Sequence, residues 1–221
     1  VKPHAVMPKQ ITIVDYGVGN ISSVSRAIEH FGAEALLTSN PEEVMRATCL
    51  VLPGVGAFSN GMQGLRERGL IDPLRAYAAS GRPLLGICLG MQMLLTASEE
   101  FGEHEGLGLI PGRVLPVAAK NGQDISLKVP HIGWSGLKIP PLRATWDGTI
   151  LEGVSVGSSV YFVHSFMAVP TYEEHRLADI MYGDCRISAA IRKGNVTGCQ
   201  FHPEKSAVVG LHVIKNFLEL A

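Results

Sequence analysis

The chain has 221 residues, with Lys+Arg 19 against Asp+Glu 20, a hydrophobic share of 46% and a charged share of 18%. That composition excludes a disordered chain, and the lack of a basic excess argues against a partner gripped mainly through nucleic-acid phosphates. The length fits one domain able to bury a core without disulfide or metal staples.

The first ten residues, VKPHAVMPKQ, carry no apolar signal core and read as a loose tail, 1–10, ahead of one domain over 11–221. From there strand and helix signals alternate. Ile11–Asp15 (ITIVD) is an apolar β run, followed by a Gly-Val-Gly turn and Asn20. Apolar residues at Ile21, Val24, Ile28 and Phe31 predict a helix that Gly32 stops. Glu34–Thr38 reads as a second strand. Asn40-Pro41-Glu42-Glu43 reads as a helix start, with a capping side chain, proline at the first position and acids at the positive dipole end.

Cys49–Leu52 is a third strand closed by Pro53. Helices are expected around Asn60–Arg68 and Asp72–Ser80, a fourth strand at Leu84–Ile87 and a helix at Met91–Thr96. The apolar stretch Leu84–Leu95 is broken by Gly86, Gly90 and Gln92, and falls short of the ~18 residues a membrane span needs. This alternation implies an open, mostly parallel twisted sheet with helices on both faces.

The second half reads differently. RVLPV, GLKI, VYFVHSF, ADIMY, ISAAI and VTGCQF are short β-like runs between Gly, Pro and Asn. They are expected to extend the same sheet as mostly antiparallel strands, with Gly194-Asn195 as a hairpin turn. Ser206–Ala221 is expected to be a helix with Val209, Val213, Ile214 and Phe217 on one side.

The cysteines are Cys49, Cys88, Cys185 and Cys199, none in a CxxC pair and none with histidine at zinc spacing. No disulfide framework, metal or cofactor is expected, and three of the thiols read as buried in a reducing cytoplasm. Cys88 stands apart. Gly86-Ile87-Cys88-Leu89-Gly90 follows the G-x-nucleophile-x-G pattern of a strained strand-to-helix elbow, where side chains at the glycine positions would collide with the folded-back chain. The helix start behind the thiol stabilises a thiolate and offers N–H groups to an oxyanion.

Phe201-His202-Pro203-Glu204 supplies a base and an orienter. His202 at a strand end can reach Cys88, and Glu204 can accept its other ring N–H and fix the tautomer. Pro53-Gly54-Val55-Gly56 adds a glycine-rich turn where parallel strands converge on a ligand crevice. An alternative dinucleotide site at Asp15–Asn20 fails. Ser22 replaces the third glycine, and Thr38, Ser39 and Asn40 stand where an acid is needed.

GICLGMQ, LPGVGAF and FHPEKS together resemble the class I (triad) glutamine amidotransferases. DYGVGN, HIGW, YFVHSF and HPEKS narrow the resemblance, from about residue 11 onward, to the branch that serves imidazole glycerol phosphate synthase in histidine biosynthesis. The resemblance implies a flavodoxin-like α/β fold, Cys88 as nucleophile, His202 as base and Glu204 as its orienter. It implies an oxyanion hole from the N–H of Leu89 and an N–H of the Gly54–Val55 turn. Gly56, Gln92, His164 and Ser165 would hold glutamine. The implied partner is a (β/α)8-barrel cyclase subunit in a heterodimer, receiving ammonia through a channel, with Asn20, Trp134, Tyr161 and Lys205 at or near the interface. The Pro53–Gly56 turn is the candidate switch that couples the two activities. Three rivals share parts of the pattern: an amidotransferase subunit of another synthase, a stand-alone cysteine amidohydrolase, and a scaffold that kept the fold.

Overall fold

The computed structural model describes residues 9–118 and 127–220. Residues 1–8 of the expected tail lie outside that range, as does Ala221. Gln10, assigned to the tail, is instead the first residue of strand β1 (Gln10–Val14) and pairs with Glu34 of β2 (Glu34–Thr38). Among the described residues no helix is long and apolar enough to cross a membrane.

The first half follows the apolar pattern closely. Helix α1 (Ile21–Glu29) links β1 to β2, and α2 (Pro41–Arg46) leads to β3 (Leu50–Leu52). The Asn40 side chain caps α2 by accepting from the Glu42 N–H at 2.9 Å, with Pro41 at the first helical position. Helices α3 (Phe58–Glu67) and α4 (Ile71–Ala79) precede β4 (Leu84–Ile87). Every residue of β3 and β4 is buried, as befits central strands covered on both sides.

Strands β11 (Arg176–Tyr182), β12 (Cys185–Lys193) and β13 (Val196–Cys199) complete a seven-stranded sheet of order β11-β12-β13-β4-β3-β1-β2. β2, β1, β3, β4 and β13 are parallel, whereas β11 and β12 are antiparallel additions. Side chains alternate between two cores. Ile11, Ile13, Val51, Leu85 and Ile87 face α1 and the C-terminal helix, while Val14, Leu50, Leu52 and Leu84 face α3 and α4. Burying each such side chain contributes roughly 1.5–3 kcal/mol. The C-terminal ends of β4, β3, β1 and β13 open on one crevice, the usual ligand position in such sheets.

Three expectations need correction. The helix predicted at Met91–Thr96 is α5 (Leu89–Met93), and Leu95–Ser98 is strand β5. An apolar run of this kind has no period that separates helix from buried strand. The later strands do not all join one sheet. β5, β6 (His104–Glu105), β7 (Ile110–Pro116) and β10 (Phe166–Pro170) form a second sheet, and β8 (His131–Gly136) with β9 (Ser159–His164) forms a ribbon. VYFVHSF is thus two strands broken at Ser165, and of GLKI Gly136 ends β8 while Lys138 makes an isolated bridge to Asp179. The Gly194-Asn195 turn joins β12 to β13 as expected, and α6 (Ala207–Leu220) buries Val213, Ile214 and Phe217.

Candidate active site

Cys88 sits between β4 and α5 with φ 55° and ψ −109°, a conformation that a side chain adopts only where its surroundings hold it. Its N–H donates to the Cys199 carbonyl at 2.8 Å, and its own carbonyl accepts from Gln92 N–H at 3.2 Å. The flanking glycines make this turn possible. A Cβ at Gly90 would lie 1.8 Å from the Leu52 carbonyl oxygen, and one at Gly86 would lie 2.8 Å from Gly90.

β13 runs beside β4, so the residues after it arrive at the same crevice. His202 Nδ1 lies 2.9 Å from Glu204 Oε1, with both side chains almost wholly buried. The carboxylate accepts, so Nδ1 carries a proton, and Nε2 is the ring nitrogen not engaged by Glu204. Among the described residues Nε2 has no hydrogen-bond partner. Asn20 Nδ2 donates to the same Glu204 oxygen at 3.4 Å. Burial opposes the charged imidazole, but the adjacent Cys88 sulfur and the Glu204 carboxylate outweigh it and raise His202 to about 9.

Cys88 and His202 share a cavity of about 220 Å³ with Val55, Gly56, Leu89, Gln92, His164 and Ser165. That volume suits a ligand of amino-acid size. Gln92 directs both its N–H groups inward, to the Phe166 carbonyl at 3.0 Å and to Gln200 Oε1 at 2.9 Å, so only its Oε1 remains for a ligand. His164 Nδ1 donates to the same Phe166 carbonyl at 2.8 Å, and its Nε2 accepts from His131 Nδ1 at 3.1 Å. Burial lowers His164 to about 4, so the ring is neutral at physiological pH.

The oxyanion donors are not assembled as the sequence implied. The Leu89 N–H donates to the Gly54 carbonyl at 3.3 Å, so an oxygen occupies the position expected of a donor. Tyr16, 1% exposed, helps hold that arrangement. Its hydroxyl donates to the Pro53 carbonyl at 2.7 Å. A Cβ on Gly54 would lie 2.3 Å from that hydroxyl.

The four residues assigned to an interface lie around the triad's flank. Trp134 is 54% exposed and meets Tyr161 edge-on, with ring centroids 5.9 Å apart. The Tyr161 carbonyl accepts from His202 N–H at 2.9 Å, and Lys205 is exposed on the short 3-10 turn Pro203–Lys205.

Sequence reasoning missed Tyr16, Glu100 and Gln200. Glu100 lines the cavity and accepts from the Phe58 N–H at 2.6 Å, which ties the start of α3 to the site. An acid pair just past β5 was its only signal. Among the other thiols, burial pushes Cys49 up to about 12 and Cys199 well above its ordinary value. Cys185 is only half-buried, so the expectation of three buried bystanders holds for two. Among the described residues no cluster of His, Cys, Asp and Glu could hold a metal ion.

The glutamine amidotransferase class-I family model matches residues 12–220. The imidazole glycerol phosphate synthase subunit HisH 1 of Legionella pneumophila (strain Lens) is 54% identical over 211 residues, covering 95% of this chain and 99% of that one. The HisH subunit of Geobacter sulfurreducens is 46% identical, covering 96% and 99%. Two solved structures share the fold at lower identity. PurLQS from Thermotoga maritima has a TM-score of 0.72 at 20% identity, covering 96% of this chain and 99% of that one. A structure described as a glutamine amidotransferase has a TM-score of 0.70 at 22%, covering 95% and 97%. With its elbow cysteine and buried His-Glu pair on this sheet, the chain belongs to the class I glutamine amidotransferases, in the branch of the imidazole glycerol phosphate synthase subunit HisH.

Proposed function

We propose that the chain hydrolyses glutamine to glutamate and ammonia through a Cys88 thioester, and passes the ammonia to a cyclase subunit. The observation that carries this reading is one cavity holding a strained Cys88 and the free Nε2 side of a His202 whose other nitrogen is tied to Glu204.

The Cys88 proton is held on His202 Nε2 as the imidazolium, which leaves the thiolate as nucleophile. The sulfur lone pair forms a C–S bond with the side-chain carbonyl carbon of glutamine, and the carbonyl π pair moves to oxygen. The imidazolium returns the proton to the amide nitrogen, the C–N bond breaks and ammonia leaves. His202 then takes a proton from water, whose oxygen bonds to the thioester carbon; the C–S bond breaks, glutamate leaves and the imidazolium returns its proton to the sulfur. Dividing the route in two lowers each barrier, since an amide is a poor electrophile. Glu204 holds the tautomer and favours the imidazolium.

In this reading Gln92, His164 and Ser165 position glutamine. The hole forms when the Gly54–Val55 peptide turns, freeing Leu89 N–H and adding a second donor. Losing one oxyanion donor typically costs about 2.7–4 kcal/mol, so a closed turn keeps the lone chain slow. The partner is the (β/α)8-barrel cyclase of the same synthase, which makes imidazole glycerol phosphate and AICAR from the formimino ribonucleotide PRFAR. We assign its docking surface to Asn20, Trp134, Tyr161 and Lys205, and the heterodimer to the cytoplasm.

Ammonia release from glutamine tests the reading, first with the chain alone and then with the cyclase and its ribonucleotide, with Cys88→Ala as control. A large partner-dependent rise that vanishes in the control supports it. High release without a partner makes the chain a stand-alone amidohydrolase, and none under either condition overturns the assignment.

A further inference from the structure

Gln200 belongs to no part of the triad, yet its side-chain amide is buried against the nucleophile. It follows β13, two residues before His202, and is 0% exposed. Its Nε2 lies 3.7 Å from Cys88 Sγ, and its Oε1 lies 2.9 Å from Gln92 Nε2.

The direction of this chain follows from its far end. Gln92 Nε2 is also 3.0 Å from the Phe166 carbonyl, and a carbonyl can only accept. The Gln92 amide must therefore present its NH2 there. Its second N–H meets Gln200, which can accept only through Oε1. The NH2 of Gln200 is then the group left facing sulfur. The Phe166 carbonyl is fixed in turn by His164 Nδ1 at 2.8 Å. A backbone oxygen thus orders two side-chain amides and delivers a donor to the reacting atom.

A neutral thiol is a weak acceptor, and a buried amide N–H without a partner is unfavourable. A thiolate satisfies the same N–H with a charge-assisted bond. We propose that Gln200 is a further catalytic residue, whose Nε2–H donates to the Cys88 sulfur, favours its thiolate and fixes the direction from which it attacks. The proposal rests on Cys88 being the nucleophile. Gln200 transfers no proton: the thiol proton goes to His202, the sulfur pair enters the C–S bond, and the Gln200 bond weakens as charge leaves sulfur. The other titratable groups beside the sulfur are His202, Tyr16 and Cys199, with Glu100 and His164 on the cavity wall.

A hydrogen bond to a charged group favours the charged form by about tenfold, so losing it lowers the thiolate-to-thiol ratio by about that factor. Nucleophilicity moves the other way with a Brønsted slope of about 0.5, so the net change is about threefold. The test is iodoacetamide alkylation of the full chain and its Gln200→Met variant, which keeps the volume and removes the donor. The Cys88→Ala rate is subtracted as background, and a thermal melt checks the fold. At a pH where the thiol is largely protonated in both proteins, the variant reacts about threefold slower. At a pH that ionises the thiol in both proteins it reacts about threefold faster. Equal rates at both pH values, or a variant slower at both, overturn the proposal.

Should Gln200→Met fail to fold, the native protein carries the test. The Gln200 side-chain amide resonances move as Cys88 ionises, and resonances that stay fixed overturn the proposal. Glutaminase activity surviving in Cys88→Ala would instead remove the nucleophile reading itself. With that control inactive and no crossover in Gln200→Met, only the role of Gln200 fails.

Discussion

The backbone N–H of Leu89 donates to the carbonyl of Gly54 across 3.3 Å, so a candidate oxyanion donor is engaged within the resting chain. Tyr16, two residues past β1, reinforces this through its hydroxyl on the Pro53 carbonyl at 2.7 Å. The segment after β1 therefore holds the Pro53–Gly56 turn, which the proposed oxyanion hole needs to move.

Tyr16→Phe removes that hydroxyl and leaves a buried carbonyl without its partner. A loss of about 1–3 kcal/mol in stability is expected. The turn is also released, so ammonia formation by the lone chain rises several-fold while the rise on adding the cyclase shrinks. Assays with and without the partner, beside a thermal melt, read both effects. An unchanged ratio of partnered to unpartnered activity would show that Tyr16 does not hold the turn.

The elbow gives a sharper steric prediction. Gly90→Ala sets a methyl group 1.8 Å from the Leu52 carbonyl oxygen, which is backbone and cannot swing aside. A loss of at least about 3 kcal/mol is expected, with no glutaminase activity in whatever folds. Gly194→Ala is the contrast. Its φ of +59° is strained for alanine, but its Cβ would meet nothing within 4 Å. That substitution is expected to cost about 1 kcal/mol and leave activity intact. Comparable losses in the two variants would contradict the packing argument.

The parallel half of the sheet was legible because its strands are short apolar runs bounded by residues that end them, such as Pro53 and Gly32. The grouping of Cys88, His202 and Glu204 was legible because Gly86 and Gly90 are placed where backbone geometry demands them. The antiparallel half was not. Whether Phe166–Pro170 pairs with β7 or with the main sheet is decided by contacts distant in sequence, and alternation looks the same in either place. Glu100 and Gln200 were missed for a related reason. Each acts on a group far along the chain, Phe58 and Cys88, and neither neighbourhood carries a spacing that announces it.

Two histidines at the site contribute to the pH dependence of stability, with opposite signs. His202 is raised from 6.5 to about 9 by Cys88 and Glu204 against the effect of burial. The folded chain binds the extra proton, so this contribution is full below pH 6.5 and is lost as pH rises through about 9. His164 is lowered from 6.5 to about 4 by burial, so the unfolded chain binds the extra proton and stability falls as pH drops through that window. The acid limb from His164 is on the order of 3 kcal/mol. Melting temperature against pH is expected to peak near neutrality. His164→Gln flattens the acid limb and His202→Gln the alkaline one, and a variant that leaves its own limb unchanged refutes that assignment.

Glu100 lines the cavity and anchors the start of α3, and two substitutions separate a substrate role from a structural one. Its Oε2 accepts from the Phe58 N–H at 2.6 Å, while the residue lines the cavity that holds Cys88. Free glutamine carries an α-ammonium group, and Glu100 is the carboxylate on that wall. Glu100→Gln keeps an oxygen acceptor for Phe58 and removes the charge. Stability is expected to change by less than about 0.5 kcal/mol, while the KM for glutamine rises about tenfold at nearly constant kcat, the pattern of lost uniform binding. Glu100→Ala removes the acceptor as well and is expected to cost a further ~1 kcal/mol in stability, because the first turn of α3 loses its only side-chain partner among the described residues. If Glu100→Gln leaves KM untouched while Glu100→Ala lowers the melting temperature, the residue anchors the helix and does not bind the substrate.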